Sequence, residues 1–256
     1  MDKAERAAEF LDQCYRERRR YENLPPAIAP ADLTEAYAIQ RALQDRWKPR
    51  LGDVVGWKIA VTTPAMRRIL NIPRPVVGGI FASRVHQCPT TLRAADFVHA
   101  CIEFEIALRL AADLPRRASA YTAADVLPAV EAACPAFELV DDRFADYTTT
   151  QGLSLCADNA WNAGIACGQW VGGSAPSLLA PARGNVVFNG RELGEGESTP
   201  LDALAWLADE LALAGLPLRR GMIVMTGSLV ATQYPVAGSR ASFTAHGLGR
   251  ITIDFE

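Results

Sequence analysis

One stretch decides the fold that we predict for this chain: Cys101-Ile102-Glu103-Phe104-Glu105-Ile106-Ala107-Leu108. It is rich in isoleucine, phenylalanine and leucine, which predicts a β-strand, and residues i and i+2 of a strand point to the same face. Glu103 and Glu105 would therefore project together. If their face meets solvent, the strand is simply amphipathic. If it faces inward, two close carboxylates need a cation or a shared proton. The spacing alone favours the solvated face, because alternating charge is common on half-exposed strands.

The composition bounds the class of protein. The chain has 256 residues, half of them apolar, which suffices for one large domain or a main domain with a small appendage. A net charge of −3 offers no electrostatic footprint for nucleic acid. We find no apolar run of the roughly 20 residues that a membrane span needs. The first residues carry charges of both signs, unlike a secretory signal. We therefore expect neither a nucleic-acid nor a membrane partner.

The cysteines and histidines narrow the chemistry. Six cysteines are scattered without a Cys-x-x-Cys pair, which predicts reduced thiols in a cytoplasmic protein. The three histidines lack the spacing of a zinc site, and we expect His86 and His99 at the surface. The groups that titrate in a site must then be found among glutamate, aspartate and lysine.

The pattern of elements predicts an α+β fold with a large mixed or antiparallel sheet system. Two helices, over 3–20 and from about 33 to 47, form an N-terminal helical appendage at 1–50, and 51–256 form the main domain. Many strands follow without regular intervening helices. Asn189-Gly190 predicts a hairpin turn, and leucine spacing predicts a helix over Pro200–Ala214.

Three features of the predicted main domain could carry chemistry. Glu138 lies between apolar residues of another strand, and with Glu103 and Glu105 it could bind a hard divalent cation. Lys58 lies in an apolar strand, where it is either a buried acid/base group or an ordinary exposed lysine. The backbone N–H groups of Thr226-Gly227-Ser228 could bind a carboxylate, although a plain turn explains the triplet equally well.

Taken in order, these motifs resemble the 2-keto-4-pentenoate hydratase family of the fumarylacetoacetate hydrolase superfamily, which also contains the 4-oxalocrotonate decarboxylases. The resemblance runs from about Leu33 to Phe255. It rests on Gly56-Trp57-Lys58-Ile59, Thr62-Thr63-Pro64-Ala65-Met66, Ile102-Glu103-Phe104-Glu105-Ile106-Ala107, Glu138, Ala157-Asp158-Asn159-Ala160, Thr226-Gly227-Ser228 and Gly247-Leu248-Gly249. Each motif is short, but their joint order is specific.

The resemblance implies a mixed β-sheet roll of the fumarylacetoacetate hydrolase C-terminal-domain type, at 51–256, that assembles into homo-oligomers. It implies that Mg²⁺ or Mn²⁺ is bound by Glu103, Glu105 and Glu138. Lys58 would be the acid/base residue, and Thr226-Gly227-Ser228 would bind the substrate carboxylate. The resemblance also implies that Asp158 is one of the substrate-binding residues.

The activity implied is that of a lyase that hydrates 2-hydroxypenta-2,4-dienoate or a related unsaturated 2-oxo acid in aromatic catabolism. Two alternatives on the same scaffold are decarboxylation of a 4-oxalocrotonate-like diacid and C–C hydrolysis of an acylpyruvate. A catalytically lapsed partner subunit is a further possibility, against which the intact acidic triad with Lys58 speaks.

The chain departs from the family pattern at two positions. Val76 stands where the hydratases usually have an aspartate, and Trp161 stands where they usually have a serine. We therefore expect a drier pocket, which Trp161 narrows or lines with a stacking face. Arg74, near the missing aspartate, could pair with a second substrate carboxylate.

Overall fold

The computed structural model describes residues 1–173 and 180–256. Its α-helices are α1 (Lys3–Arg16), α2 (Leu33–Leu51), α3 (Pro64–Ile69), α4 (Ala123–Val126), α5 (Gly152–Ala157) and α6 (Pro200–Ala214). Its strands are β1 (Val54–Ala60), β2 (Val76–Phe81), β3 (Val85–Gln87), β4 (Thr90–Leu92), β5 (Ala100–Leu110), β6 (Val130–Asp141), β7 (Asn162–Cys167), β8 (Val171–Gly172), β9 (Ala182–Phe188), β10 (Arg191–Ser198), β11 (Ile223–Met225), β12 (Arg240–Ala245) and β13 (Gly249–Phe255).

The strands form two sheets. The larger has the order β2-β1-β11-β5-β6-β7-β3, with β8 paired to β6, and it mixes parallel and antiparallel neighbours. The smaller has the order β10-β9-β12-β13-β4. Together with the helices they confirm the predicted α+β class with mixed sheets and a small N-terminal helical part.

The two faces of β5 and β6 have different surroundings. Phe104 of β5 and Phe137 of β6 lie on one face, where Phe104 packs edge-on against Phe243 of the smaller sheet, with ring centroids 6.2 Å apart. The opposite face is the inside of a roll formed by the larger sheet. Its small apolar cluster consists of Ile80, Ala107, Cys134, Ala136, Ile165, Cys167 and Met225. Glu103, Glu105 and Glu138 alternate onto this inner face, so the solvated strand face that spacing alone favours is wrong.

One asparagine side chain links two parts of the roll. Asn159 accepts a hydrogen bond from Gly79 N–H (2.7 Å) and donates one to Gly79 C=O (2.9 Å), as a neighbouring strand would. Gln44 of α2 donates to the same Asn159 oxygen at 2.9 Å. The backbone of Asn159, Ala160 and Trp161 is left-handed, with φ of 51°, 47° and 57°. Left-handed backbone is costly for residues with a Cβ, so the surrounding contacts must hold this turn in place.

The N-terminal helices share the main core. Ala7 and Leu11 of α1 and Leu43 of α2 belong to the same buried cluster as Phe104 and Phe243. The division at residue 50 remains a prediction.

Helix α1 begins at a capping box made by Asp2 and Glu5.

The N-terminal helix ends earlier than the sequence pattern predicts. Arg18 adopts a left-handed φ of 54°, and its guanidinium donates to the carbonyls of residues 95, 96 and 97. The basic segment therefore leaves the helix to form a tertiary contact. In contrast, α2 extends beyond Trp47, through Pro49, and stops only at Gly52 with φ 82°.

Other predicted elements agree closely with the structure. Asn189 and Gly190 both have positive φ (50° and 76°), as the hairpin between β9 and β10 requires, and α6 spans the predicted residues. Gln233 forms an isolated bridge to Ile102 of β5, and Pro235 lacks the N–H that continued pairing needs. No helix in the described ranges has both the length and the apolar character that crossing a membrane requires.

We predict that Asn159→Ala lowers the free energy of unfolding by about 3 kcal/mol, because it leaves the buried N–H and C=O of Gly79 without partners. Urea unfolding followed by tryptophan fluorescence measures the loss. Asn71→Ala is the matched control, since Asn71 is also left-handed (φ 48°) but exposed. Equal losses in the two variants would show that the Gly79 contacts contribute little.

Candidate active site

Four charged side chains from three strands meet inside the roll. Lys58 Nζ of β1 lies 2.8 Å from Glu138 Oε1 of β6. Strands β11 and β5 lie between these strands, so a flat sheet would separate them by roughly 14 Å. The curvature of the sheet therefore creates the contact. Glu103 is directly opposite Glu138 in the β5–β6 register, and ligand oxygens of Glu103, Glu105 and Glu138 lie within 4.8 Å of one another.

Two of the three carboxylates are fully buried, and the cluster is only partly hydrogen-bonded. Glu105 and Glu138 are 0% exposed. Glu105 Oε2 accepts from Gly227 N–H (2.8 Å), and Glu138 Oε1 accepts from Asn162 Nδ2 (3.2 Å) as well as Lys58. Glu103, which is half-buried, accepts from the Thr232 hydroxyl at 2.6 Å.

Two oxygens of this cluster have no protein partner. Among the residues described, Glu105 Oε1 and Glu138 Oε2 are buried without a hydrogen bond. A buried carboxylate oxygen without a partner is costly, and hard divalent cations bind such oxygens. Three converging carboxylates with two free, buried oxygens therefore fit a divalent cation.

The electrostatics of the cluster support the same conclusion. Burial raises the pKa of Glu105 well above its ordinary value of 4.5, and repulsion from Glu138 and Glu103 raises it further. Burial also raises the pKa of Glu138, against the opposing effect of Lys58. For Lys58, burial lowers the pKa, but Glu138, Glu103 and Glu105 outweigh it and hold the pKa above its ordinary value. A single ammonium thus faces three carboxylates, and the site has an excess of negative charge.

A cavity of about 540 Å³ opens onto this cluster. Lys58, Glu103, Gly227 and Ser228 line it on the charged side. The remaining wall is mostly apolar and includes Val61, Met66, Leu70, Val140, Leu155, Ala160 and Trp161. Thr62, Thr63 and Ala231 are exposed and mark the mouth, whereas Leu70, Leu155, Ala160 and Trp161 are buried and form the floor.

The predicted Thr226-Gly227-Ser228 turn lies beside the cluster, but most of its donors are engaged. Thr226 Oγ1 donates to Ile106 C=O (2.7 Å), and Gly227 N–H donates to Glu105. Ser228 Oγ donates to Val230 C=O (2.8 Å) and accepts from Phe104 N–H (3.1 Å). Gly227 and Ser228 reach the cavity, so the role of this turn in holding the substrate carboxylate stays a prediction.

The structure does not bring Asp158 and Arg74 to the cavity wall. Asp158 is fully buried and forms an ion pair with Arg143. Arg74 pairs with Glu210 at 3.0 Å. Neither lines the cavity, because each is held by a partner of opposite charge elsewhere in the fold. Substrate binding by Asp158 and Arg74 therefore stays a prediction that no position at the cavity wall supports, whereas Trp161 does line the cavity.

The sequence-based prediction missed the aromatic wall of the cavity. Tyr147 and Tyr234 line it, and Tyr147 Oη donates to Asp142 Oδ2 at 3.0 Å. His99 Nδ1 lies 2.6 Å from Asp142 Oδ1, and the His99 ring stacks between Phe144 and Tyr234. His99 is thus half-buried and stacks on Tyr234 of this wall. The signal that could have located it is Asp141-Asp142, which directly follows the Glu138 strand.

A second group of possible metal ligands adjoins this wall. His99, Cys101 and Asp142 place ligand atoms within 4.8 Å of one another. Unlike the glutamates, Asp142 already has hydrogen-bond partners for both oxygens, from His99, Phe144 N–H and Tyr147. The glutamate cluster is therefore the better candidate for a cation.

Comparison with known proteins finds close relatives over the whole length. The chain is 34% identical to 2-keto-4-pentenoate hydratase of Paraburkholderia phymatum, with 99% of this chain and 98% of the relative covered. It is 32% identical to 2-hydroxyhexa-2,4-dienoate hydratase of Comamonas testosteroni, with 93% and 95% covered. A comparison with family models gives no match.

Solved structures share the fold. The magnesium and adipate complex of 4-oxalocrotonate decarboxylase from Pseudomonas putida G7 superposes with a TM-score of 0.89, at 22% identity, over 99% of this chain and 97% of that one. A yeast protein of the fumarylacetoacetate hydrolase family gives a TM-score of 0.60 at 16% identity, with 78% and 91% covered. These likenesses confirm the predicted roll.

We predict that Glu105→Gln raises the melting temperature of the metal-free protein at pH 8 and abolishes the rise that Mn²⁺ causes in the unchanged protein. The raised pKa means that the folded protein binds a proton at Glu105 more tightly than the unfolded chain. The stability that this proton contributes is present below the ordinary value of 4.5 and is lost as the pH rises through the folded pKa. A neutral amide avoids that loss but removes a cation ligand.

Differential scanning fluorimetry from pH 5 to 8, with and without Mn²⁺, measures both effects. Glu131→Gln is the matched control, because Glu131 lies on the same strand as Glu138 but is exposed and paired with Arg109. A Mn²⁺-induced rise that survives in Glu105→Gln would exclude Glu105 as a ligand.

Proposed function

The chain belongs to the 2-keto-4-pentenoate hydratase family, and we propose that it is a divalent-metal-dependent lyase that hydrates 2-hydroxypenta-2,4-dienoate or a related unsaturated 2-oxo acid. The relatives named for this reaction match the chain from end to end. We propose Mg²⁺ or Mn²⁺ as the cation, held by Glu103, Glu105 and Glu138.

One observation carries the proposal: three carboxylates and one lysine converge at one side of a cavity whose remaining wall is largely apolar. Such a cavity suits a substrate with an anionic, chelating 2-oxo-acid head and an uncharged hydrocarbon tail. Carboxylate oxygens are the ligands that Mg²⁺ and Mn²⁺ prefer.

The cation would supply Lewis-acid stabilisation of the negative charge that develops on the 2-oxo group. The protein supplies the proton transfers. Hydration places a hydroxyl at C4 and a hydrogen at C5, while the enol proton is replaced by one at C3. Lys58 Nζ is held by Glu138, and the three carboxylates keep it protonated against the opposing effect of burial. We propose that it is the group that moves these protons. The apolar floor excludes other water from the tail.

We also propose where the protein is located, how it assembles and in which kind of metabolism it acts. The six cysteines are free and buried, which supports the reduced, cytoplasmic location expected from the sequence. We also propose homo-oligomers and a role in aromatic catabolism, as the family resemblance implies. Sedimentation velocity measures the assembly state directly.

We predict that the protein with Mg²⁺ or Mn²⁺ removes the near-ultraviolet absorbance of 2-hydroxypenta-2,4-dienoate without releasing CO₂ or pyruvate. Hydration destroys the conjugated diene, which explains the loss of absorbance. Decarboxylation of a 4-oxalocrotonate-like diacid would release CO₂, and acylpyruvate hydrolysis would release pyruvate. Product analysis by mass spectrometry separates the three reactions. If the dienoate is left unchanged with either cation, the proposed function is wrong.

We predict that Lys58→Met lowers kcat by about 10²–10⁴-fold but still binds Mn²⁺, because it removes the proton-moving group and keeps the three carboxylates. Steady-state kinetics and titration calorimetry with Mn²⁺ measure the two properties. Lys48→Met is the control, since Lys48 is exposed and pairs with Asp53, away from the cavity. Unchanged turnover in Lys58→Met would exclude the acid/base role.

A further inference from the structure

We propose that the cavity selects substrates with an apolar alkyl or aryl group at the end remote from the carboxylate, and that Trp161 determines this specificity. The inference rests on the proposed function and concerns the same cavity. It specifies which member of the substrate class the chain accepts and which one it rejects.

The charged and the apolar residues that line the cavity form two distinct groups. Its charged lining residues, Lys58 and Glu103, lie in the carboxylate cluster that we assign to the substrate head. The buried floor consists of Leu70, Leu155 and Trp161 together with Ala160. With the head at the charged cluster, the far end of the substrate meets hydrocarbon.

The size of the cavity exceeds what a five-carbon dienoate fills. A volume of about 540 Å³ falls in the range typical of pockets for larger, drug-sized ligands. A longer or bulkier apolar tail would remove more of its own surface from water inside the cavity, and each added buried methylene increases the affinity roughly fourfold.

Trp161 is held in a defined position at this floor. The rings of Tyr21 and Tyr147 stand nearly perpendicular to it, at centroid distances of 4.8 and 5.8 Å and interplanar angles of 74° and 85°. Its backbone belongs to the left-handed turn that Asn159 ties to Gly79. The indole Nε1 is buried, so it offers the cavity no accessible hydrogen-bond donor. Trp161 therefore offers a rigid apolar surface.

A second carboxylate on the substrate would find no countercharge at the floor. In the described part of the chain, Lys58 is the one cation that lines the cavity. Arg74 is paired with Glu210, and Arg143 is buried in its ion pair with Asp158. Arg67 donates to Thr62 C=O near the mouth and does not line the cavity. Burying an unpaired carboxylate against Trp161 and Leu155 is costly, so diacids should bind weakly.

Binding of unreactive analogues tests this selection without turnover. Titration calorimetry with the Mn²⁺-loaded protein compares 2-oxobutanoate, 2-oxoheptanoate and the diacid 2-oxoadipate. We expect 2-oxoheptanoate to bind at least about tenfold more tightly than 2-oxobutanoate and 2-oxoadipate to bind most weakly of the three. Tightest binding of 2-oxoadipate would overturn the proposal.

Turnover of a matched series of 2-hydroxy-2,4-dienoates provides the second measurement. The carbon chain ends in hydrogen, methyl, phenyl or carboxylate, and kcat/KM should increase from hydrogen to the apolar groups. In Trp161→Ala the preference for the apolar groups should fall at least about fivefold, mainly through KM, whereas Trp161→Phe should retain most of it. Trp206→Ala, a tryptophan of α6 outside the cavity, is the control.

The outcomes separate this inference from the proposed function. If no dienoate is hydrated, the proposed function fails. If the unsubstituted dienoate is hydrated but apolar tails bring no gain in the unchanged protein, only the specificity inference fails. A preference for the diacid that Arg67→Ala abolishes would place the distal carboxylate at the mouth and contradict the assignment to Trp161. Should Trp161→Ala not fold, the analogue titrations and Trp161→Phe still decide.

Discussion

The convergence of three carboxylates, two of them fully buried, on one ammonium is the constraint on which the rest of this structure depends. Lys58 and Glu138 can meet only because the larger sheet curls through two intervening strands. The fold therefore brings together charges that repel one another. Even with Lys58 in contact, Glu105 and Glu138 keep raised pKa values, so the lysine alone does not neutralise the site. The divalent cation that we propose would offset that excess of negative charge and supply the Lewis-acid chemistry.

The packing around the cluster explains how such a site can be stable. One face of β5 and β6 buries phenylalanines against the smaller sheet, which fixes the strands that carry the glutamates. Elsewhere in the roll, the Asn159 side chain binds Gly79 of β2 and so ties this strand to the left-handed turn that contains Trp161. The same turn thus serves both the architecture and the cavity floor. Its strain is maintained by buried hydrogen bonds, as is common where a backbone outlier shapes a functional site.

The sequence predicted local features well and tertiary ones less well. The Asn189-Gly190 hairpin and α6 follow from local backbone preferences, so pattern alone located them. Local pattern alone could not predict which way Glu103 and Glu105 point, because period-two spacing is the same for a solvated and a buried face. The ordered family motifs were needed to predict that they face inward. The ion pair between Arg74 and Glu210 could not be read from the sequence, because the two residues are 136 positions apart. The aromatic wall of Tyr147 and Tyr234 was missed for the same reason, since only the folded chain brings these two side chains to the cavity.

Anomalous diffraction from crystals grown with Mn²⁺ tests the central claim most directly. We expect one strong peak among the carboxylates of Glu103, Glu105 and Glu138, with the free oxygens of Glu105 and Glu138 turned toward the ion. A peak at His99, Cys101 and Asp142 with the glutamate cluster empty, or no peak at saturating Mn²⁺, would contradict it.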